Sequence, residues 1–228
     1  MINALAMPNW LPHDCLEFDP IHVTYRLAGS IPQGRVEELV SWRRSKLEAL
    51  EAELIDLPPA ARSSVFRDRQ NLIDAKYERQ LDLALHETSH GPFYLLDGCV
   101  ARAVLESWKY LAAAGDVFVY AVCVMGNHVH AVIRAHRIAA DAMDLGRLMC
   151  RHKSHTARLA NQLLGRTGNP FWEADFFDRR IRDGKFMRVM WYVLQNPVAA
   201  GLVADWEDWS HTFVHPQLLE MFTGRLPR

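Results

Sequence analysis

The chain predicts an α+β fold: an antiparallel, ferredoxin-like sheet of the split βαβ kind, with a helical hairpin inserted after its first strand. Three observations carry this. Apolar runs at 117–125 and 128–133 flank Gly126 and Asn127, a dipeptide that favours a tight turn, so they read as paired strands. The segment 21–27 alternates and is rich in β-formers, which makes it a first strand. Helical segments separate the first strand from this pair and the pair from a later strand, giving strand, helix, strand, strand, helix, strand.

Taken in order, residues 1–20 are rich in Pro and Asp and read as an extended lead-in. Residues 34–56 and about 64–88 have helical composition and are split by Leu57, Pro58 and Pro59, as expected of a hairpin inserted at about 34–88. Residues 99–114 form an amphipathic pattern that stops at Gly115. Residues 141–164 read as a long basic helix, and 171–181, dense in aromatics and arginines, as a last strand. Residues 185–195 read as a helix ending near Asn196, because Pro197 disfavours α geometry in its predecessor. The main domain is placed at 21–212 and a C-terminal tail at 213–228.

The chain has 228 residues, half of them apolar, enough for one sizeable core. The net charge of −1 is unevenly spread: residues 134–188 carry 12 Lys and Arg against 6 Asp and Glu. A basic field directly after the strand pair suits phosphates, although a solvated helix face would look the same. Cys15, Cys99, Cys123 and Cys150 are scattered without a C-x-x-C pair, which fits a reducing cytoplasm rather than a zinc ribbon or disulfide framework. The N-terminus lacks the basic start of a secretory signal, and no apolar run is long enough for a bilayer, so no membrane partner is expected.

The chemistry centres on His128 and His130. Side chains two apart on a strand share a face, so both imidazoles can hold one divalent metal, which would polarise a phosphate. For an isolated pair, half-buried histidines satisfied by backbone carbonyls would be the better explanation. An H-x-H-x-H hydrolase pattern fails because position 132 is Val. Tyr192 and Asn196 are four apart and share a helix face. A phenol beside a metal-polarised phosphate is a competent nucleophile, and an amide oxygen can complete a metal shell. Taken singly, Tyr192 is also an ordinary core tyrosine and Asn196 an ordinary residue before Pro.

Several motifs in order resemble one family, the REP-associated tyrosine transposases of the HUH single-tyrosine group. The family's Val-Met-Pro-Asn-His-Val-His hairpin is matched by Val-Met-Gly-Asn-His-Val-His at 124–130. Its Tyr, Asn-Pro-Val and Ala-Gly-Leu-Val helix is matched by Tyr192, 196–198 and 200–203. His-Val-Thr-Tyr-Arg at 22–26, Lys-Ser-His-Thr at 153–156, and segments 168–172 and 177–183 match as well. The resemblance spans about residues 20–212. Gly126 departs from the family's Pro, and the 34–88 insertion is its least recognisable part.

The resemblance implies an HUH fold with a C-terminal catalytic helix. It implies cleavage and rejoining of single-stranded or hairpin DNA at REP-like palindromes by a nucleoid-associated cytoplasmic protein, as monomer or homodimer. His128, His130 and Asn196 would bind Mg²⁺ or Mn²⁺, and Tyr192 would form a 5′-phosphotyrosine. DNA contacts are expected from Arg147, Arg151, Lys153 and Arg158 on the basic helix and from Arg179, Arg180 and Arg182 near the last strand. Phe171, Trp172, Phe176 and Phe177 are candidates for base stacking, at least half of them for the core instead. The competing expectations are a binder that no longer cuts and, more remotely, a phosphodiesterase that uses water in place of Tyr192.

Overall fold

A computed structural model describes residues 16, 18–88, 91–136 and 144–223. Strands β1 (Ile21–Arg26), β2 (Val117–Val124), β3 (His128–Ala135), β4 (Phe177–Arg180) and β5 (Thr212–Val214) form one sheet in the order β4-β1-β3-β2-β5. Every neighbouring pair is antiparallel. Helices α1 (Gln33–Glu53) and α2 (Pro59–Glu87) are the inserted hairpin, and α3 (Gly98–Ala113) precedes β2. Helix α4 (Leu145–Leu163) joins β3 to β4, and α5 (Phe186–Leu194), α6 (Asn196–Ala199) and α7 (Pro216–Phe222) follow. The α+β class and the element order as far as α5 are those expected from sequence; α6, β5 and α7 are additions to it.

Strand periodicity divides the sheet into two chemically different faces. Ile21, Val23 and Tyr25 of β1 and Val129, Ala131 and Ile133 of β3 enter the larger core with Val104 and Trp108 of α3 and Leu148 and Met149 of α4. The alternate residues, His22 and Thr24 on β1 and His128 and His130 on β3, project to the other face. There a second core joins Val132 to Val189, Met190 and Val193 of α5 and to Phe222 of α7. A bulge between Val119 and Ala121 switches the alternation of β2 by one residue. Val117 and Val119 precede it and Val122 and Val124 follow it in the larger core, leaving Ala121 and Cys123 for the smaller.

The hairpin docks through Tyr77, Leu81 and Leu85, which cluster with Leu39 and Phe177. Pro58 and Pro59 end the connection between its helices, with proline in the first turn of α2, where no N–H is needed. Arg43 on α1 donates to Asp74 on α2 at 2.7 Å with both side chains buried.

Three sequence boundaries shift. The last strand is confined to four residues, because Trp172 reaches the sheet only as a single bridge to Leu27 and ladder pairing resumes at Phe177. The boundary at 212 falls inside β5, and the stretch read as a tail packs inward: Phe222 is fully buried. Leu16, within the lead-in, is also buried. The expected start of the basic helix at 141–143 lies outside the described residues.

Beneath the sheet, Trp108 Nε1 donates to the Tyr25 hydroxyl at 3.0 Å, which lies 2.7 Å from His152 Nε2. His152 Nδ1 lies 2.9 Å from Ser107 Oγ. With the Tyr25 hydroxyl donating, His152 is neutral and protonated at Nδ1. Burial pushes its pKa down to about 3, with His155 and Lys153 adding to the shift. A depressed histidine makes the unfolded chain bind more protons, so stability falls as pH drops from 6.5 toward 3. This residue alone should contribute a loss of about 2 kcal/mol by pH 5 and about 4–5 kcal/mol by pH 3. Urea unfolding across that range is expected to show a flatter acid limb for His152→Gln; an unchanged limb would refute the assignment.

Candidate metal and nucleophile centre

The chemistry-bearing face carries a buried polar cluster built from β1, β3, α2, α5 and α6. His128 Nε2 and His130 Nε2 stand 3.1 Å apart with both residues fully buried. Adjacent ligand atoms about 2.1 Å from one octahedral ion stand about 3 Å apart, so this pair fits a shared cation. Burial, then neighbouring His86, pushes the His128 pKa down to about 3. Burial, then His128, His22 and His86, holds His130 well below its ordinary value. Both rings are therefore neutral, as metal-binding imidazoles must be.

The remaining nitrogens are held. His128 Nδ1 lies 2.7 Å from Asn127 Oδ1, and Asn127 Nδ2 donates to the Leu85 carbonyl of α2 at 3.0 Å. His130 Nδ1 lies 3.0 Å from Thr24 Oγ1 and 3.1 Å from His22 Nε2. The turn joining the two strands is pinned by Leu95 N–H to the Gly126 carbonyl and Leu27 N–H to the Asn127 carbonyl. A Cβ at position 126 would come within 3.1 Å of Phe93 and 3.2 Å of Leu96. A side chain there would need both neighbours to yield by a few tenths of an ångström.

Asp82 on α2 completes the donor set. Its carboxylate oxygen lies 3.6 Å from His130 Nε2, and Asp82, His128 and His130 each bring a ligand atom within 4.8 Å of the others. The second oxygen, Asp82 Oδ1, is buried without a hydrogen-bond partner. An orphaned carboxylate oxygen beside two neutral imidazoles fits a divalent cation. Burial raises the Asp82 carboxyl to about 8, against the Tyr192 hydrogen bond, with Glu78 adding to the rise.

Tyr192 and Asn196 converge on the same carboxylate. The Tyr192 hydroxyl donates to Asp82, and Asn196 Nδ2 approaches it at 3.5 Å. Asn196 Oδ1 lies 3.0 Å from His86 Nε2. Helix α5 runs almost directly into α6, with Gln195 N–H on the Trp191 carbonyl and Ala200 N–H on that of Asn196, so the four-residue stacking survives Pro197. Burial, then Asp82 and Glu78, raises the Tyr192 phenol well above its ordinary value. His128, His130, Tyr192 and Asn196 are thus brought together. Asp82, His86, Glu78 and His22 were not singled out from sequence.

The expected DNA-contacting residues divide. Arg147, Arg151 and Arg158 lie exposed along one side of α4, with Arg151 paired to Asp116. Lys153 does not join them: it is buried, donates to the Ala174 carbonyl at 2.7 Å and the Asp175 carbonyl at 3.3 Å, and burial pushes its pKa down to about 8. Two residues beyond Arg151 lies about 200° around a helix, which puts Lys153 on the packed side. Arg179 pairs with buried Glu78 at 2.7 Å, Arg180 with Asp19 at 3.0 Å, and Arg182 with Asp68. Phe171, Trp172, Phe176 and Phe177 are all buried, so none offers an open stacking surface.

No protein-family model matches the chain, and no curated protein does. Among solved structures, it is similar to that of a REP-associated tyrosine transposase bound to a REP hairpin. The TM-score is 0.51 with 13% identity, covering 93% of this chain and 86% of that one. At that identity the likeness establishes the fold.

Proposed function

We propose that the chain is a divalent-metal-dependent single-strand DNA endonuclease and strand transferase, acting on hairpin-forming repeats through Tyr192. The observation that carries this reading is the convergence of a tyrosine hydroxyl, two facing imidazole nitrogens and an unsatisfied carboxylate oxygen in one buried cluster. The shared fold with a transposase bound to a REP hairpin supports the same substrate class.

His128, His130 and Asp82 would hold Mg²⁺ or Mn²⁺; Asn196, the third ligand expected from sequence, turns its Oδ1 to His86 and its Nδ2 to Asp82. Such an ion supplies charge neutralisation on the scissile phosphate. Tyr192 would attack phosphorus in line, forming a tyrosyl O–P bond as the P–O3′ bond breaks. A cation held here would keep the Asp82 carboxyl ionised; the phenolic proton points at it, so Asp82 would be placed to receive that proton and to return it to the departing 3′ oxygen. The products are a 5′-phosphotyrosine and a free 3′-hydroxyl. A later 3′-hydroxyl can reseal the strand without ATP, because the phosphodiester energy is kept in the covalent link.

The test is incubation of a labelled single-stranded hairpin with Mn²⁺ or Mg²⁺. A denaturation-resistant protein–DNA adduct supports the enzyme. A mobility shift without adduct points to a binder derived from a transposase, and release of product without adduct to water attack. Among the described residues no helix is long and apolar enough to cross a membrane. The proposed setting is the cytoplasm, on nucleoid DNA, as a monomer or homodimer.

Binding is expected to draw on the exposed arginines of α4. Joint replacement of Arg147, Arg151 and Arg158 by Ala should weaken hairpin affinity. It should also flatten the log–log salt dependence by about 0.7–0.9 for each phosphate that an arginine no longer neutralises. Lys153→Ala should lower stability instead and leave that slope unchanged. Fluorescence anisotropy across a salt series reads both; an unaltered slope in the triple variant would move the DNA surface elsewhere.

A further inference from the structure

We infer that the inserted helix α2 sets the tautomer of both metal-binding imidazoles, through Glu78 on one side and the Leu85 carbonyl on the other. The inference rests on His128 and His130 being ligands through Nε2. An imidazole presents a lone pair at Nε2 only when its proton sits on Nδ1, so whatever accepts from Nδ1 decides whether the ring can bind a cation.

Two hydrogen-bond chains lead from those Nδ1 atoms to one helix. In the first, His22 Nδ1 lies 2.5 Å from Glu78 Oε1, an ion-pair contact between two buried side chains. The other carboxylate oxygen of Glu78 accepts from the Arg179 guanidinium at 2.7 Å, and that ion pair keeps the buried carboxyl ionised. An ionised Glu78 keeps the His22 proton on Nδ1. With that Nδ1 proton the ring's only one, His22 Nε2 is an acceptor, and from 3.1 Å away it draws the His130 proton to Nδ1. His130 Nε2 is left bare toward His128. The stacked His22 and His130 rings, 5.2 Å apart, keep the link in register.

In the second chain, the Leu85 carbonyl accepts from Asn127 Nδ2, which fixes the amide so that Oδ1 faces His128 Nδ1 at 2.7 Å. A carbonyl oxygen can only accept, so the His128 proton also sits on Nδ1. Glu78, Asp82 and His86 follow one another at four-residue spacing, so they form a single stripe of α2. Glu78 reaches His22, Asp82 reaches Tyr192 and His86 reaches Asn196. The hairpin is thereby a positioning wall of the centre rather than an appendage.

Mn²⁺ binding followed by electron paramagnetic resonance, and imidazole tautomers read from long-range ¹H–¹⁵N correlation spectra, test this on the full-length chain. Glu78→Gln and Asn127→Ala should each weaken Mn²⁺ binding about 10–100-fold. Glu78→Gln should also move part of the His130 population to the Nε2–H form, and Asn127→Ala should do so for His128. His22→Phe keeps Glu78 paired with Arg179 and serves if Glu78→Gln fails to fold; it should match the Glu78→Gln effect. Losses within the Glu78–His22 chain should not add when combined, whereas those of Glu78→Gln and Asn127→Ala should multiply. Wild-type affinity and unchanged tautomers in Glu78→Gln or His22→Phe overturn the inference. A wild-type chain that binds no Mn²⁺ overturns the metal reading itself, while the tautomer spectra still decide the two chains.

Discussion

Tyr192→Phe is expected to reduce covalent adduct formation on a hairpin substrate by at least about three orders of magnitude, the scale of losing a nucleophile. Hairpin affinity should stay within about twofold. The substitution removes one oxygen, and that oxygen contacts Asp82 rather than any of the exposed arginines of α4. The ring keeps its packing beside His22 and His130, whose centroids each lie 5.9 Å away. The variant should therefore fold as the parent does, and denaturing gels with labelled DNA give the answer directly. A Phe variant that still forms the adduct would assign the attack to another residue. One that forms no adduct yet cleaves at the parental rate would make water the nucleophile.

His130→Ala should have an effect of similar size by a different route. His130 is the most connected ring of the cluster, meeting His22, Thr24, His128 and Asp82. Its loss should weaken Mn²⁺ binding by at least about 100-fold and abolish cleavage at millimolar metal, while DNA affinity changes little. Calorimetric titration of Mn²⁺ measures the first effect and the adduct assay the second. Retention of wild-type Mn²⁺ affinity would mean the cation, if bound, is held elsewhere. The two substitutions are separable: the Tyr192 variant should keep its metal and lose the chemistry, whereas the His130 variant should lose both.

Half of this centre is legible in the sequence because it lies on regular elements with strict periodicities. His128 and His130 sit two apart on a strand, and Tyr192 and Asn196 four apart on a helix, so each pair could be placed on one face before any coordinates. The other half comes from α2, where pattern reading fails. Glu78, Asp82 and His86 look like the charged flank of a solvated helix, and charges on its other sides hide the buried face. Their four-residue spacing runs beside Tyr77, Leu81 and Leu85, the residues that dock the helix, and this adjacency was the available signal. His22 stood in a matched motif without a role, because its partner Glu78 lies on an element whose docking the sequence does not reveal. The aromatic segment 171–181 misled for the opposite reason: its β-forming composition serves packing, and only Phe177–Arg180 enters the ladder.

The links across this cluster join positions far apart along the polypeptide: Asp82 to Tyr192, His86 to Asn196 and Thr24 to His130 are separated by 106 to 110 residues. Contacts of such span form late, once the intervening chain has been made and folded. A half-synthesised chain on the ribosome, or a fragment shed by proteolysis, therefore carries donors and no nucleophile, or a nucleophile and no donors. On the proposed function, the capacity to break DNA would arise only once both parts of the cluster are made and joined.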